Sequence, residues 1–144
     1  MEKLEEKYAD LLKIHKRLAV AIKTYEKALV DKSIDDEIRE AFRDSLIKRF
    51  ELMYDLLWKY IREYINTMQG DAADSPRKVF QQCLSLSLIN SDETQQLVDL
   101  IEDRNLTTHV YNIDLANKVA ADIPKHFDVI HEIIMKLKPD NIKK

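Results

Sequence analysis

Apolar residues recur along this chain in steps of three and four, and the rhythm divides it into five helical segments. The first runs from about Glu2 to Val30, with Leu4, Tyr8, Leu11, Leu12, His15, Leu18, Ala19, Ile22, Tyr25 and Leu29 on one stripe. That spacing predicts an amphipathic helix with one buried face. Ser33, with Asp36 three residues on, is read as the cap of a second helix over about Ile34 to Met68. Its stripe of Ile38, Phe42, Leu46, Phe50, Met53, Leu57, Ile61, Ile65 and Met68 is widened by Leu52, Leu56, Tyr60 and Tyr64. So wide an apolar arc predicts a helix central to the fold, closed by Gly70 just past its end. Ser75-Pro76 is a helix start, and the third segment covers about Pro76 to Ile89. Ser91 is read as capping a fourth, which carries Leu97, Val98, Leu100 and Ile101 and continues through Arg104 to Tyr111. Asn112 caps a fifth, whose stripe (Ile113, Ala116, Val119/Ala120, Ile123, Phe127, Ile130, Ile134, Leu137) continues through Pro124. A kink, not a domain break, is expected at that proline. The last residues, 137–144, with Pro139 and Asn141 to Lys144, are expected to fray.

Short breaks between long helices favour antiparallel neighbours, so the expected fold is all-α: an up-and-down bundle of about five helices. It forms one domain over residues 1–144. Helices of about 30 residues span about 45 Å, long for a chain of 144 residues. Their wide apolar faces predict a dimer.

Composition narrows the classes. With 45% hydrophobic and 34% charged residues, the chain is neither disordered nor membrane-spanning, for no run of about 18 apolar residues occurs. One Gly and three Pro argue against a turn-rich β fold. A lone Cys83 suits a reducing compartment, and the charged start Met1 to Glu6 lacks the apolar core of a signal peptide, so a cytoplasmic protein is expected. The net charge of −3 argues mildly against a general nucleic-acid coat and leaves room for a local basic cleft.

No Gly-rich phosphate loop can be built from one glycine, and no HExxH, ExxH or Cys/His cluster supplies metal ligands, so neither metal nor cofactor is expected. His15, His126 and His131 are read as packing or solvent groups. The segment that stands out is Glu102 to Asn112, which gathers Arg104, Asn105, His109 and Tyr111 at a helix end. Arginine offers a fixed fork of donors to phosphate, and histidine moves protons near neutral pH. Arg104 and Tyr111 project on nearly one helix face, whereas His109 lies about 140° away. The three converge if Arg104 reaches round, if the helix loosens at the β-branched Thr107-Thr108, or if a second subunit supplies one of them. A purely structural role for Arg104, paired with Asp103 or Glu102, is the plainer alternative.

Arg104-Asn105-x-x-x-His109-x-Tyr111 resembles the R-x4-H-x-Y motif of HepT-type HEPN proteins, also called nucleotidyltransferase substrate-binding proteins. Arg43-Asp44-Ser45-Leu46-Ile47-Lys48-Arg49-Phe50-Glu51-Leu52, with Tyr54 and Trp58-Lys59 after it, resembles the family's second-helix block. Ser75-Pro76-Arg77, Leu88-Ile89 and Ile123-Pro124 fit its third and last helices, and the likeness spans about residues 10 to 138. The resemblance implies a dimerising helical bundle and a ribonuclease toxin of a type VII-like toxin–antitoxin pair. It also implies a partner, a small MNT-type nucleotidyltransferase that transfers AMP to the motif tyrosine and silences the toxin. Carried onto this chain, Arg104 and His109 are catalytic, Asn105 supports them and Tyr111 is the modification site.

Metal-independent RNA cleavage needs a base, an acid and a charge clamp. One motif holds one His; two motifs facing across a twofold axis hold two His and two Arg, so the active site is expected at the dimer interface. Arg43, Lys48, Arg49 and Arg77 are the candidates for RNA or phosphate binding. Two other readings stand beside this one. The first is a noncatalytic subunit that holds a nucleotide or protein for a separate nucleotidyltransferase. The second is a helical adaptor with no site.

Overall fold

The computed structural model describes residues 1–142. It is an antiparallel, all-α bundle of five helices: α1 (Glu2–Val30), α2 (Asp36–Met68), α3 (Pro76–Ser85), α4 (Ser91–Leu106) and α5 (Ile113–Lys136). Short 3₁₀ turns follow α4 (Thr107–His109) and α5 (Pro139–Asn141), and there is no strand among the described residues. The expected segments are all present. Lys143 and Lys144, part of the expected frayed tail, lie outside the described residues.

The apolar stripes explain the packing. Leu4, Leu11 and Leu18 of α1 meet Leu46, Phe50, Met53, Leu57, Ile61 and Ile65 of α2, all at most 1% exposed. Ala116, Val119, Ile123, Ile130 and Ile133 of α5 complete the core. Each Leu, Ile or Phe so buried stabilises the fold by about 1.5–3 kcal/mol before chain entropy is set against it. α2 is central, as its wide stripe predicts, and touches every other helix. Its first turns are an exception. Ile38 and Phe42 are exposed, as are Leu29 and Val30 at the end of α1 and Ile113 at the start of α5. Leu29 and Ile113 border one cleft together with Tyr25, Arg39 and Arg43, so an apolar end of the bundle is left open.

Several boundaries differ from expectation for local reasons. Asp35, not Ser33, caps α2, accepting from the Ile38 N–H at 2.9 Å, while Ser33 turns its N–H and hydroxyl onto Asp31. Asn90, not Ser91, caps α4 in a reciprocal box with Glu93. α3 stops at Ser85, short of Ile89, because Ser87 takes a left-handed φ of 59° and the Leu88 N–H returns to the Cys83 carbonyl. Gly70, at φ 82°, closes α2 by donating to the Asn66 and Ile65 carbonyls. α5 runs on through Pro124. The stretch expected to fray is held as far as it is described. Leu137 and Pro139 are buried, and the phenols of Tyr60 and Tyr8 donate to the carbonyls of Leu137 and Ile134.

Candidate functional site

The end of α4 builds the site. The hydroxyl of Thr107 donates to the Arg104 carbonyl at 2.7 Å, and that of Thr108 to the Asn105 carbonyl at 3.0 Å. Side-chain hydroxyls thus take carbonyls that a continuing helix would claim. The chain tightens into 3₁₀ geometry over Thr107–His109, so α4 ends at Leu106, not at Tyr111. Asn112 then caps α5, accepting from the Leu115 N–H at 3.2 Å. The loosening anticipated at Thr107-Thr108 is present.

It brings His109 and Tyr111 together. Nδ1 of His109 lies 3.0 Å from the Tyr111 Oη, the rings meet edge-on at 78°, and Tyr111 is 81% exposed. When the imidazole carries its proton on Nε2, Nδ1 accepts the phenol proton. Neither side chain has another hydrogen-bond partner among the described residues.

Arg104 is held separately. Its Nη1 donates to Thr107 Oγ1 at 2.9 Å and lies 3.2 Å from Glu51 Oε2 on α2. Its guanidinium carbon sits 5.8 Å from the Tyr54 ring, and its Nε is buried with no partner among the described residues. Burial pushes the Tyr54 phenol above its ordinary pKa, against the pull of Arg104 and Arg77. The structure therefore joins His109 to Tyr111 and Arg104 to Glu51. Among the described residues no hydrogen bond links the two pairs within one copy. Asn105 is exposed beside them. The plain alternative of an Arg104–Asp103 or Arg104–Glu102 pair is not what forms. Glu51 carries no such signal in the sequence, because it reaches Arg104 from another helix.

Asp103 faces the other way. It is 2% exposed and accepts from Lys118 at 2.5 Å and from His126 Nε2 at 2.6 Å. Lys118 also lies 3.0 Å from Asp122. Hydrogen bonds to Asp103 and then Asp122 push the Lys118 ammonium up to about 12. Asp103, Asp122 and His126 have ligand atoms within 4.8 Å of one another, a spacing a cation could use. The Lys118 ammonium already supplies the positive charge between the two carboxylates. His126 shares the apolar stripe of Ile123 and Ile130, and a titratable group at a core position is the sequence signal for this cluster.

The four basic candidates scatter. Arg43 is 5% exposed, with Nη1 donating to Asn117 Oδ1 at 2.9 Å and Nε to Asp44 at 3.2 Å. Lys48 is exposed. Arg49 donates to the Arg17 carbonyl at 3.0 Å, on the α1 side of α2. Arg77, at the start of α3, is the one that shares the neighbourhood of Tyr54 with Arg104. Among the described residues, no helix is long and apolar enough to cross a membrane.

Comparison with known proteins agrees with this architecture. A crystal structure of a protein from Thermus thermophilus superposes with a TM-score of 0.67 at 23% identity, covering 84% of this chain and 98% of that one. That likeness is one of fold. No curated protein matches the chain. The family model described as "Nucleotidyltransferase substrate binding protein like" matches residues 10–139, and the chain therefore belongs to that family.

Proposed function

We propose that this protein is a metal-independent endoribonuclease of the HEPN type, acting in the cytoplasm as the toxin of a toxin–antitoxin pair. The observation that carries the reading is the exposed imidazole–phenol pair, 3.0 Å apart, at the end of the helix that carries Arg104. Two copies pair about a twofold axis and set two such ends face to face. The open apolar end at Leu29, Val30, Ile38, Phe42 and Ile113 includes a residue only two positions past Tyr111 and supports such a pairing.

In the composite site one His109 removes the proton from a ribose 2′-hydroxyl, and the oxygen forms a bond to phosphorus. The bond from phosphorus to the 5′-oxygen breaks, and the second His109 protonates that leaving oxygen. Arg104 meets the charge that builds on the phosphorane. The products are a 2′,3′-cyclic phosphate and a 5′-hydroxyl. The partner is a small nucleotidyltransferase, in keeping with the family description. Its reaction joins the Tyr111 phenol oxygen to the α-phosphorus of ATP; pyrophosphate leaves and the phenol proton is released. The esterified oxygen no longer donates a hydrogen bond to His109, and the added phosphate sets an anion beside Arg104.

The test is purified full-length protein on total RNA in the presence of a chelator. Wild type cleaves, leaving cyclic phosphate ends. His109→Ala lowers the rate by about 10²–10⁴-fold with an unchanged circular dichroism spectrum. Tyr111→Phe still cleaves, but partner enzyme and ATP no longer silence it or add an AMP mass to the peptide. A second reading, a noncatalytic subunit that holds nucleotide for the transferase, draws on the family description itself. It wins if wild type leaves RNA intact while nucleotide binding depends on Arg104.

A further inference from the structure

The guanidinium of Arg104 is gripped on one nitrogen. Nη1 donates to Thr107 Oγ1 at 2.9 Å and forms an ion pair with Glu51 Oε2 at 3.2 Å. The Thr107 hydroxyl spends its own proton on the Arg104 carbonyl, so a lone pair is what it turns to Nη1. Among the described residues Nε is buried without a partner, and the Tyr54 ring backs the guanidinium at 5.8 Å. Among the described residues, the hydrogen bond of this side chain and its 3.2 Å ion-pair contact both lie at Nη1. Nη2 is the edge left for an incoming anion.

We infer that Glu51 and Thr107 are positioning residues, which hold Arg104 by Nη1 so that its Nη2 edge meets the charge that builds on phosphorus during cleavage. The inference rests on the ribonuclease reading above. A carboxylate that merely masked the arginine would cover the fork with both oxygens. Here, among the described residues, no guanidinium N–H makes a hydrogen bond to Glu51, and the contact is the 3.2 Å ion pair at Nη1. The grip has two benefits. A long side chain fixed in advance loses little rotamer freedom when the substrate arrives. The Glu51 charge also offsets that of Arg104 in the resting site, so a singly charged phosphodiester gains little while the doubly charged phosphorane gains more. Binding that strengthens in the transition state raises kcat.

The experiment compares Glu51→Ala, Glu51→Gln, Thr107→Val and Thr107→Ser in the full chain, each checked for folding by thermal melting. Glu51→Ala and Thr107→Val lower kcat for RNA cleavage by about 10-fold to 100-fold, with KM within about twofold of wild type. Glu51→Gln and Thr107→Ser keep an acceptor at the same place and recover most of the loss. The His109 limb of the pH–rate profile stays put in all four. Cleavage by Glu51→Ala at the wild-type rate or faster overturns the inference and marks Glu51 as a mask. A readout independent of activity is the Arg104 Nε–H resonance in ¹H–¹⁵N spectra, assigned through Arg104→Lys. It is sharp in wild type, shifts on titration with inorganic phosphate, and broadens in Glu51→Ala and Thr107→Val. If wild type fails to cleave RNA, the ribonuclease reading falls and the catalytic part of the inference falls with it, while this spectrum still decides whether Glu51 and Thr107 hold Arg104 for a phosphate. No phosphate shift in wild type, or a wild-type spectrum in both variants, refutes it.

Discussion

His15 shows how a single ring is set by what surrounds it. It stacks on Phe127 at 4.2 Å and on His131 at 5.3 Å, and its Nε2 is buried without a partner among the described residues. Burial, and then the charge of His131, lower its pKa from 6.5 to about 4. The unfolded chain therefore takes up this proton before the folded one does. Stability from this residue is complete above about pH 6.5, declines as the pH falls toward about 4, and stops declining below that. Melting temperatures measured across this window should fall more steeply for wild type than for His15→Phe. Parallel slopes would show that the ring titrates normally. At this scale the sequence is a partial guide. Arg104, His109 and Tyr111 stand out because their chemistry is local and their spacing short. Glu51 does not, because its role exists only once α2 lies beside α4.

Helix ends tell the same story one level up. Where several capping residues stand in a row, as in Ser33 to Asp36 or Asn90 to Asp92, the apolar stripe fixes the helix to within a turn and leaves the cap open. The caps that form are Asp35 and Asn90. The early end of α3 has no glycine to announce it, since Ser87 itself adopts the left-handed turn. The link between α4 and α5 is equally hidden, because it depends on Asp103 meeting His126 and Lys118 across the bundle. Removing one partner of a buried pair strands the other. Asp103→Ala should lower the unfolding free energy by about 3–5 kcal/mol in urea titrations. Lys118→Met, at a half-exposed position, should cost clearly less. A loss below about 0.5 kcal/mol for Asp103→Ala would mean that the cluster does not clamp these helices.

For the molecule as a whole, the bundle and its helix order are legible in the hydrophobic rhythm alone, because α1, α2 and α5 bury most of the stripes that the spacing marks. Leu12 and Leu52 are exposed midway along α1 and α2, and Leu29, Val30, Ile38, Phe42 and Ile113 are exposed toward one end. The exposure at that end is what the proposed pairing covers. A chain of net charge −3, with Arg43 buried and Arg49 turned toward α1, gathers little basic surface around one Arg104. The proposed twofold pairing would double that surface and bring the second imidazole that the proposed acid–base cleavage uses. Subunit mixing tests this pairing most directly. Wild-type and His109→Ala chains are unfolded together, refolded in varied proportions, and assayed on RNA at constant total protein. If each site needs both imidazoles, activity falls with the square of the wild-type fraction, since only dimers of two wild-type chains cleave. A fall in direct proportion to that fraction would show that each copy works alone, and would contradict the composite site.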